Sequence, residues 1–199
     1  MNLSESRTLE NLMRAFAGEC QARSRYDFAA GAAKNEKLPV LQRVFAYTAG
    51  QEYEHAGLFL KQIRAAGMQN VNIAGGYPVD LKTDCLSLLR AAQHNEMEER
   101  HIVYPDFARD ARDEGFSQIA ALFDGVARIE ESHAARFALL ANWMEAGMLF
   151  SGGGASESWL CLNCGHVLEG PDAPARCPIC AHEQGYFIRA AYAPFAAGN

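Results

Sequence analysis

The chain has 199 residues and a net charge of −6 at pH 7. This length leaves room for one helical domain and a small second module, and the acidic balance argues against nucleic acid or an anionic membrane as a partner. Residues 1–10 contain no basic stretch followed by an apolar core, and no apolar run is long enough to span a bilayer. The sequence therefore predicts a cytoplasmic protein without a membrane attachment.

Apolar residues that recur every three or four positions predict four long helices in the first three quarters of the chain. The predicted helices cover residues 4–34, 39–66, 84–113 and 117–146. Ser4 is a plausible N-cap for the first helix. The connections are short, long and short, and the long one, residues 67–83, should carry the chain across the bundle. This pattern matches a ferritin-like four-helix bundle with one long crossover.

Pro105 interrupts the third predicted helix, directly after Tyr104. A proline inside a helix removes one backbone hydrogen bond. The helix either tolerates a simple kink or uses the kink to re-aim Tyr104 and the nearby carboxylates.

Two Glu-x-x-His steps lie on the apolar stripes of the second and fourth predicted helices. The first step is Glu52 to His55, and the second is Glu130 to His133. We call the number of positions from Glu52 to Glu130, which is the same from His55 to His133, the repeat offset. Ionisable groups on a core face are costly to desolvate, so these side chains should be paired, neutralised or bound to a metal. Tyr26 and Tyr104 keep the repeat offset. The bundle thus reads as two copies of a helical hairpin.

Each hairpin also offers glutamate from its first helix. The spacing from Glu19 to Glu96 is one position shorter than the repeat offset, and Glu99 shares a helix face with Glu96. The full candidate set is Glu19, Glu52, His55, Glu96, Glu99, Glu130 and His133. A glutamate followed by a Glu-x-x-His step in each hairpin is the ligand set of a carboxylate-bridged di-metal site, and these ligands suit iron or manganese.

Tyr26 and Tyr104 follow Glu19 and Glu96 along their helices by about two turns. Each could donate a hydrogen bond to a metal-ligating carboxylate. The alternative is that both are ordinary tyrosines of the core.

The C-terminal part changes character after a Gly- and Ser-rich stretch. Two C-x-x-C pairs, separated by twelve residues, contain Cys161, Cys164, Cys177 and Cys180. Four thiolates at this spacing predict a tetrahedral iron or zinc site, and the spacing does not choose between the two metals. The predicted organisation is a bundle at 1–148, a flexible linker at 149–157 and, at 158–199, a metal-bound module of turns and short β-strands.

With these motifs placed, the sequence resembles the rubrerythrin family over nearly its full length. The resemblance rests on Glu19 with Arg25-Tyr26, Glu52-x-x-His55, Glu96-x-x-Glu99 with Tyr104-Pro105-Asp106-Phe107, Glu130-x-x-His133 with Arg136-Phe137, and a rubredoxin-like module from Trp159 to Cys180. Ala181 departs slightly from free-standing rubredoxins, where glycine often follows the second cysteine pair.

The resemblance implies a peroxidase of oxidative-stress defence that reduces hydrogen peroxide to water at a di-iron centre. Electrons would come one at a time from a mononuclear iron in the cysteine site, which an upstream reductase or rubredoxin-like carrier would reduce. The resemblance also implies that one iron exchanges His55 for Glu99 between redox states. It points to a homodimer, head-to-tail or domain-swapped, with electrons passing between subunits.

Two other interpretations stay open at the level of sequence. The chain could be an iron-binding or iron-storage protein with oxidase activity and no physiological peroxide turnover. Alternatively, zinc in the cysteine site would make the C-terminal module structural and leave the bundle without its electron supply.

Overall fold

The computed structural model describes residues 2–193 and is mainly helical. Its helices are α1 (Arg7–Asn35), α2 (Pro39–Ala65), α3 (Cys85–Glu98), α4 (Tyr104–Asp113) and α5 (Ser117–Glu145). A π-helical turn, Glu99–Val103, joins α3 to α4, so these three pieces form one bundle helix. α1 packs on α2, and α5 packs on α3 and α4. The predicted four-helix bundle with one long crossover is confirmed.

The start of the first helix differs from the prediction. Leu3–Glu5 forms a short 3-10 turn, and α1 begins at Arg7. Ser6, not Ser4, is the N-cap, because its hydroxyl oxygen accepts a hydrogen bond from the backbone N–H of Leu9 at 3.1 Å. A second acceptor completes the cap. The Glu114 carboxylate, at the end of α4, accepts hydrogen bonds from the backbone N–H groups of Arg7 (2.9 Å) and Thr8 (2.8 Å).

The π-helical turn explains how the third bundle helix accommodates Pro105. The backbone N–H of Tyr104 donates to the carbonyl of Glu99, five residues earlier, and Pro105 then occupies the first turn of α4. A proline is tolerated there because it has no N–H group, so the backbone hydrogen bonding can change from π-helical to α-helical at this position without leaving a donor unpaired. The turn therefore inserts one residue into the helix and changes the directions of the side chains that follow it.

Two aromatic trios of the core are related by the repeat offset. Tyr26, Phe45 and Phe137 pack together, with the Tyr26 and Phe137 ring centroids 5.1 Å apart. Tyr104, Phe123 and Phe59 form the matching trio, with Phe59 and Tyr104 5.7 Å apart. The two trios belong to separate apolar clusters. The candidate metal ligands lie between these clusters, so apolar side chains exclude water on both sides.

The C-terminal module contains a three-stranded antiparallel sheet in the order β2-β1-β3. Its strands are β1 (Glu157–Cys161), β2 (Val167–Gly170) and β3 (Phe187–Arg189). Trp159, Phe187, Ala173 and two cysteines form its small core. So few apolar residues can scarcely stabilise a fold without a metal.

Residues 149–157 make defined contacts with this module. The Ala173 N–H donates to the Phe150 carbonyl at 2.9 Å, and the Gly152 N–H donates to the Pro171 carbonyl at 2.6 Å. A Cβ atom at Gly152 would lie 2.8 Å from that same carbonyl oxygen, which explains why glycine is required there. The predicted boundaries of the bundle at 148 and of the module at 158 stay a prediction. Residue 1 of the predicted bundle and residues 194–199 of the predicted module lie outside the described residues.

The module packs against one end of the bundle. Ile188 and Ala193 join the apolar cluster of the first aromatic trio, and Arg43 of α2 donates a hydrogen bond to the Leu162 carbonyl. Gly185 approaches the turn between α1 and α2 so closely that a Cβ atom would clash with the Lys37 carbonyl oxygen. Among residues 2–193, none of the helices combines the length and apolar character needed to cross a membrane.

Candidate metal centres

Six of the seven candidate ligands of the bundle come together in its interior. Each is at most 5% exposed, and they form two overlapping groups that share two glutamates. The groups are Glu19, Glu52, His55 and Glu130, and Glu52, Glu96, Glu130 and His133. Helical periodicity places them there, because residues three or four apart share one face. We call these six residues the carboxylate–histidine cluster.

Glu52 and Glu130 lie between the two histidines, with one oxygen towards each. His55 Nδ1 is 2.9 Å from Glu52 Oε2 and 3.1 Å from Glu130 Oε1. His133 Nδ1 is 2.9 Å from Glu52 Oε1 and 2.8 Å from Glu130 Oε2. This is the placement of two carboxylates that bridge a pair of metal ions, each ion with its own histidine.

Glu19 and Glu96 complete the two halves. Glu19 Oε1 is 3.9 Å from His55 Nδ1, and Glu96 Oε2 is 3.5 Å from His133 Nδ1. Each half thus combines one terminal glutamate, one histidine and a share of both bridging carboxylates.

The donor atoms of the cluster fit a metal better than they fit one another. Both oxygens of Glu52 and of Glu130, and Nδ1 of both histidines, are buried without a hydrogen-bond partner despite the short separations. Buried polar atoms are rarely left unpartnered. Their shared orientation towards the centre of the cluster is that expected of ligands that bind ions with their lone pairs.

Tyr26 and Tyr104 orient the terminal glutamates. The Tyr26 hydroxyl donates a hydrogen bond to Glu96 Oε1, and the Tyr104 hydroxyl donates one to Glu19 Oε1. Each tyrosine therefore reaches across to the other hairpin. The rings of both tyrosines also pack in the aromatic trios. Each tyrosine is therefore a core residue through its ring and a hydrogen-bond donor to a glutamate through its hydroxyl.

Glu99 lies outside both groups. It begins the π-helical turn, is half-buried, and lines a cleft next to the cluster. Burial raises the pKa of Glu99 well above its usual value, and the nearby charges of Glu96 and Glu130 raise it further. The six clustered residues alone thus supply both halves of the site, and which of the seven residues bind metal stays a prediction.

The electrostatics of the cluster are those of a desolvated group of acids around two imidazoles. Burial raises the pKa of Glu19, and the charge of Glu130 adds to this effect. Burial would lower the pKa of His133, but the surrounding Glu130, Glu52 and Glu96 carboxylates raise it to about 12. Burial would raise the pKa of Glu130, but the two imidazoles lower it to about 2. A dication at the centre would satisfy the same carboxylates that otherwise attract protons.

The four cysteines of the C-terminal module also meet at one point. Cys161 Sγ is 3.7 Å from Cys180 Sγ, and Cys164 Sγ is 3.7 Å from Cys177 Sγ. A tetrahedron with metal–sulfur bonds of about 2.3 Å has edges of about 3.8 Å, so these separations fit a single ion. The backbone N–H of His182 lowers the pKa of the Cys180 thiol to about 6, which favours the thiolate.

The two C-x-x-C loops have the same backbone design. The N–H groups of Gly165 and Ala181 donate to the carbonyls of Cys161 and Cys177, at 2.8 and 2.9 Å. Gly165 has φ +77°, and Ala181 has φ +59°. The alanine noted in the sequence therefore adopts a left-handed conformation that glycine adopts at lower cost.

Comparison with known proteins identifies both parts of the chain. The sequence model of the rubrerythrin family matches residues 10–141, and that of the rubredoxin-like domain of rubrerythrin matches residues 159–188. The rubrerythrin of Clostridium perfringens is 41% identical over 187 residues, which cover 94% of this chain and 95% of the relative. The chain belongs to the rubrerythrin family.

Solved structures agree with the architecture. A nigerythrin in a mixed-valence state aligns with a TM-score of 0.61 and 27% identity, covering 95% of this chain and 93% of that one. A bacterioferritin of Desulfovibrio desulfuricans aligns with a TM-score of 0.65 and 18% identity, covering 71% of this chain and 82% of its own, and shares the fold. As in other rubrerythrins, the cofactors are a di-iron site in the bundle and iron in the four-cysteine site. The homologues indicate a non-haem iron oxidoreductase.

Sequence reasoning missed two features around the site of this rubrerythrin-family chain. The first is the π-helical turn, whose signal was that Tyr104 keeps the repeat offset whereas Glu96 falls one position short of it. The second is a bidentate ion pair in which Arg25 of α1 binds Asp80 of the crossover at 2.8 and 2.7 Å. No pattern pairs two residues that are so distant in sequence.

Proposed function

We propose that the chain is a peroxidase that reduces hydrogen peroxide to water at the di-iron site. Each turnover consumes one hydrogen peroxide molecule, two electrons and two protons, and releases two water molecules. When bound, the iron pair supplies the two electrons that cleave the O–O bond, one from each ion. The observation that carries this proposal is the pair of bridging-type glutamates, each with one oxygen towards each histidine.

The residues around the cluster hold it in place for this reaction. Tyr26 and Tyr104 fix the terminal glutamates by hydrogen bonds, so that these carboxylates do not have to reorient during turnover. The two aromatic trios keep bulk water away from the cluster on both sides. Arg136 is tied to Thr48 and Gln51 of α2 by hydrogen bonds of 2.9 and 3.1 Å, which hold α5 against α2 near both Glu-x-x-His steps.

We also propose that His55 and Glu99 alternate as ligands of one iron. In support, His55 is within the cluster and Glu99 is just outside it. Glu99 starts a π-helical turn, and such turns are frequent at functional sites.

The cysteine site would supply the electrons, one at a time. An upstream reductase or rubredoxin-like carrier would reduce it, and the peroxidase would act in the cytoplasm, where reducing conditions keep the thiols available as metal ligands. We propose that the working unit is a homodimer in which electrons pass between subunits. The reason is the distance that separates the cysteine site from the di-iron site within one chain.

Replacement of a bridging-type glutamate tests the proposal. Glu52→Ala should lose iron from the bundle and lower the peroxide-reduction rate by more than about 100-fold. Loss of a metal ligand should lower the rate at least as much as loss of a residue that only hydrogen-bonds to a ligand. The red colour of ferric iron bound by thiolates should survive in the cysteine site. The measurements are iron content, the visible spectrum and hydrogen peroxide consumption. Glu131→Ala is the matched control, because Glu131 is exposed on α5, next to Glu130, and its one ion pair within residues 2–193 is with Arg100 at 3.0 Å.

Three results would contradict the proposal. Wild-type turnover in Glu52→Ala would show that the cluster is not the site of reaction. Accumulation of much more iron than the two sites can hold would favour a storage function. A colourless protein that contains zinc in the cysteine site after iron-replete growth would make the module structural.

A further inference from the structure

The crossover between the two hairpins is fastened to one face of α1. The residues of α1 that meet it are Arg14, Gly18, Gln21 and Arg25, which are spaced by four, three and four positions and so share one stripe. Arg14 donates to the Ala74 carbonyl at 3.0 Å, Gln21 donates to the Pro78 carbonyl, and Arg25 binds Asp80. Residues 74–80, which we call the crossover strap, are thus held at both ends and in the middle.

A cleft of about 360 Å³ lies between the crossover strap and the π-helical turn. Arg14, Gly18 and Tyr77 line it on one side, and Glu99 and Tyr104 line it on the other. Of the seven candidate ligands, Glu99 alone is among its lining residues, and the other six are at most 5% exposed. Tyr104, in turn, donates its hydrogen bond to Glu19 of the carboxylate–histidine cluster. The cleft therefore ends one side chain away from the cluster.

We propose that this cleft is the route by which small molecules reach the di-iron site, and that Tyr77 sets the size of the molecules admitted. The identity of the oxidant rests on the proposed peroxidase function, whereas the route itself does not.

Tyr77 is placed to act as the wall that limits the size of the cleft. Its ring lies over the backbone of α1, where a Cβ atom at Gly18 would be 3.8 Å from Tyr77 Cε1. On the other side, a Cβ atom at Gly75 would be 3.4 Å from the Tyr77 hydroxyl oxygen. The hydroxyl donates to the Arg14 carbonyl at 3.3 Å. Two glycines thus let the ring lie close to both backbones, with room for about one methyl group at Gly18.

The charges around the cleft favour a neutral molecule. Two acidic side chains, Glu98 and Asp106, line it against one basic side chain, Arg14. Burial raises the pKa of Glu99 and so favours its neutral form. A lining with an excess of negative charge disfavours small anions. Hydrogen peroxide is neutral at pH 7, whereas the superoxide anion is negative, so the lining favours the former by charge. Tyr77 acts on size and excludes larger molecules.

The route can be tested by the rate of azide binding to the oxidised, iron-loaded protein, followed by its absorption change in a stopped-flow instrument. Gly18→Leu should put a side chain into the cleft and slow azide association by at least about tenfold, because association through a narrowed path is slower. The equilibrium affinity should stay within about twofold, since the on and off rates change together. Gly31→Leu, on an exposed and open position of the same helix, is the matched control and should bind azide at the wild-type rate.

Replacement of Tyr77 tests the size limit independently of Gly18→Leu. Tyr77→Ala should speed azide binding and should raise the turnover of tert-butyl hydroperoxide at least about fivefold more than that of hydrogen peroxide, because a pocket discriminates by the space it leaves. Tyr77→Phe keeps the ring and should resemble the wild type. The acidic side chains of the cleft repel azide equally in all variants. The ratio of azide association rates between two variants therefore reflects the width of the route.

The outcomes separate the route from the function. Azide rates in Gly18→Leu equal to those in Gly31→Leu, together with unchanged rates in Tyr77→Ala, would overturn the route. A lower equilibrium affinity for azide in Gly18→Leu with an unchanged association rate would also overturn it, since that result indicates a distorted iron site. The expected azide rates in a protein without peroxide turnover would uphold the route and contradict the peroxidase proposal.

Discussion

Tyr26 and Tyr104 hold the two carboxylates that belong to only one half of the cluster. Each hydroxyl contacts a glutamate of the opposite hairpin, and both tyrosines are at most 2% exposed. Burial raises the pKa of both phenols well above the usual value, and the neighbouring carboxylates add to this shift, so both stay protonated and can donate. These two hydrogen bonds therefore act as fixed supports for Glu96 and Glu19.

Removal of either hydroxyl should weaken the site without unloading it. Tyr26→Phe and Tyr104→Phe should each retain iron but lower peroxide turnover by about 10- to 100-fold, as replacements of outer partners of a metal site do. Tyr53→Phe, on the exposed side of α2, is the matched control. Kinetics and di-iron spectra equal to those of the control in both variants would leave the two tyrosines as ordinary core residues.

Ala181 stores a small local strain in the cysteine module. Its φ of +59° costs an L-residue about 1–2 kcal/mol. Glycine would avoid this cost, but its greater freedom in the unfolded chain would offset part of the gain in stability. We expect Ala181→Gly to raise the free energy of unfolding of the iron-loaded module by about 0.5–1 kcal/mol. Denaturant unfolding, followed by loss of the ferric–thiolate absorption, measures this change. A destabilised variant would contradict the argument.

At the scale of elements, the repeat in the sequence predicts most of the bundle. Helical periodicity suffices to bring Glu52, His55, Glu130 and His133 to one centre, because each Glu-x-x-His step already lies on a core stripe. It does not predict the π-helical turn that begins at Glu99. The π-helical turn re-aims the side chains that follow it, and that turn depends on backbone hydrogen bonds and on Pro105 rather than on apolar spacing. Two spacings in the sequence mark the inserted residue. Glu19 to Glu96 is one position shorter than the repeat offset, whereas Tyr26 to Tyr104 equals it.

The start of α1 shows why residue type alone does not identify the N-cap. Ser4 and Ser6 are both good N-caps by residue type. The choice falls on Ser6 because Glu114, more than a hundred positions away, binds the first N–H groups after it. A tertiary contact of this kind leaves no local pattern in the sequence.

Glu114 should make the stability of this end of the bundle depend on pH. Partial burial would raise its pKa, but the donors of Thr8 and Arg7 lower it below the usual value. The stabilisation is therefore present above the usual pKa of the carboxyl group and is lost as the pH falls through the lowered one. Glu114→Gln should cost about 0.5–2 kcal/mol at pH 7, the range for loss of a cap, and the difference from the wild type should shrink below about pH 4.

Urea unfolding at several pH values measures this difference. Asp113→Asn, an exposed neighbour on the same turn, is the matched control. A difference between the wild type and Glu114→Gln that stays constant from neutral to acidic pH would contradict a role for the carboxylate charge.

At the scale of the whole molecule, the module is attached at one end of the bundle, whereas the cluster lies near the middle. Arg43, which contacts Leu162 beside Cys161, lies twelve residues before His55 on α2, or about 18 Å of helix. The end of α5 at Glu145 lies equally far from His133. Electron tunnelling weakens steeply with distance, so transfer within one chain would be slow. Helix length sets this separation, because each residue of an α-helix advances the chain by about 1.5 Å. The packing of Gly185 and Arg43 against the bundle, in contrast, leaves no pattern in the sequence.

A head-to-tail or domain-swapped partner would bring its cysteine site beside the cluster of the first chain. Two inactive variants test this arrangement: one carries Cys161→Ser and Cys164→Ser, and the other carries Glu52→Ala. In a mixed dimer, the intact cysteine site of the second chain would reduce the intact di-iron site of the first, so hydrogen peroxide consumption should return. Differential tags isolate the mixed dimers, and each variant paired with itself is the control. Isolated mixed dimers that remain inactive would exclude transfer between subunits and require electrons to travel the length of the bundle within one chain.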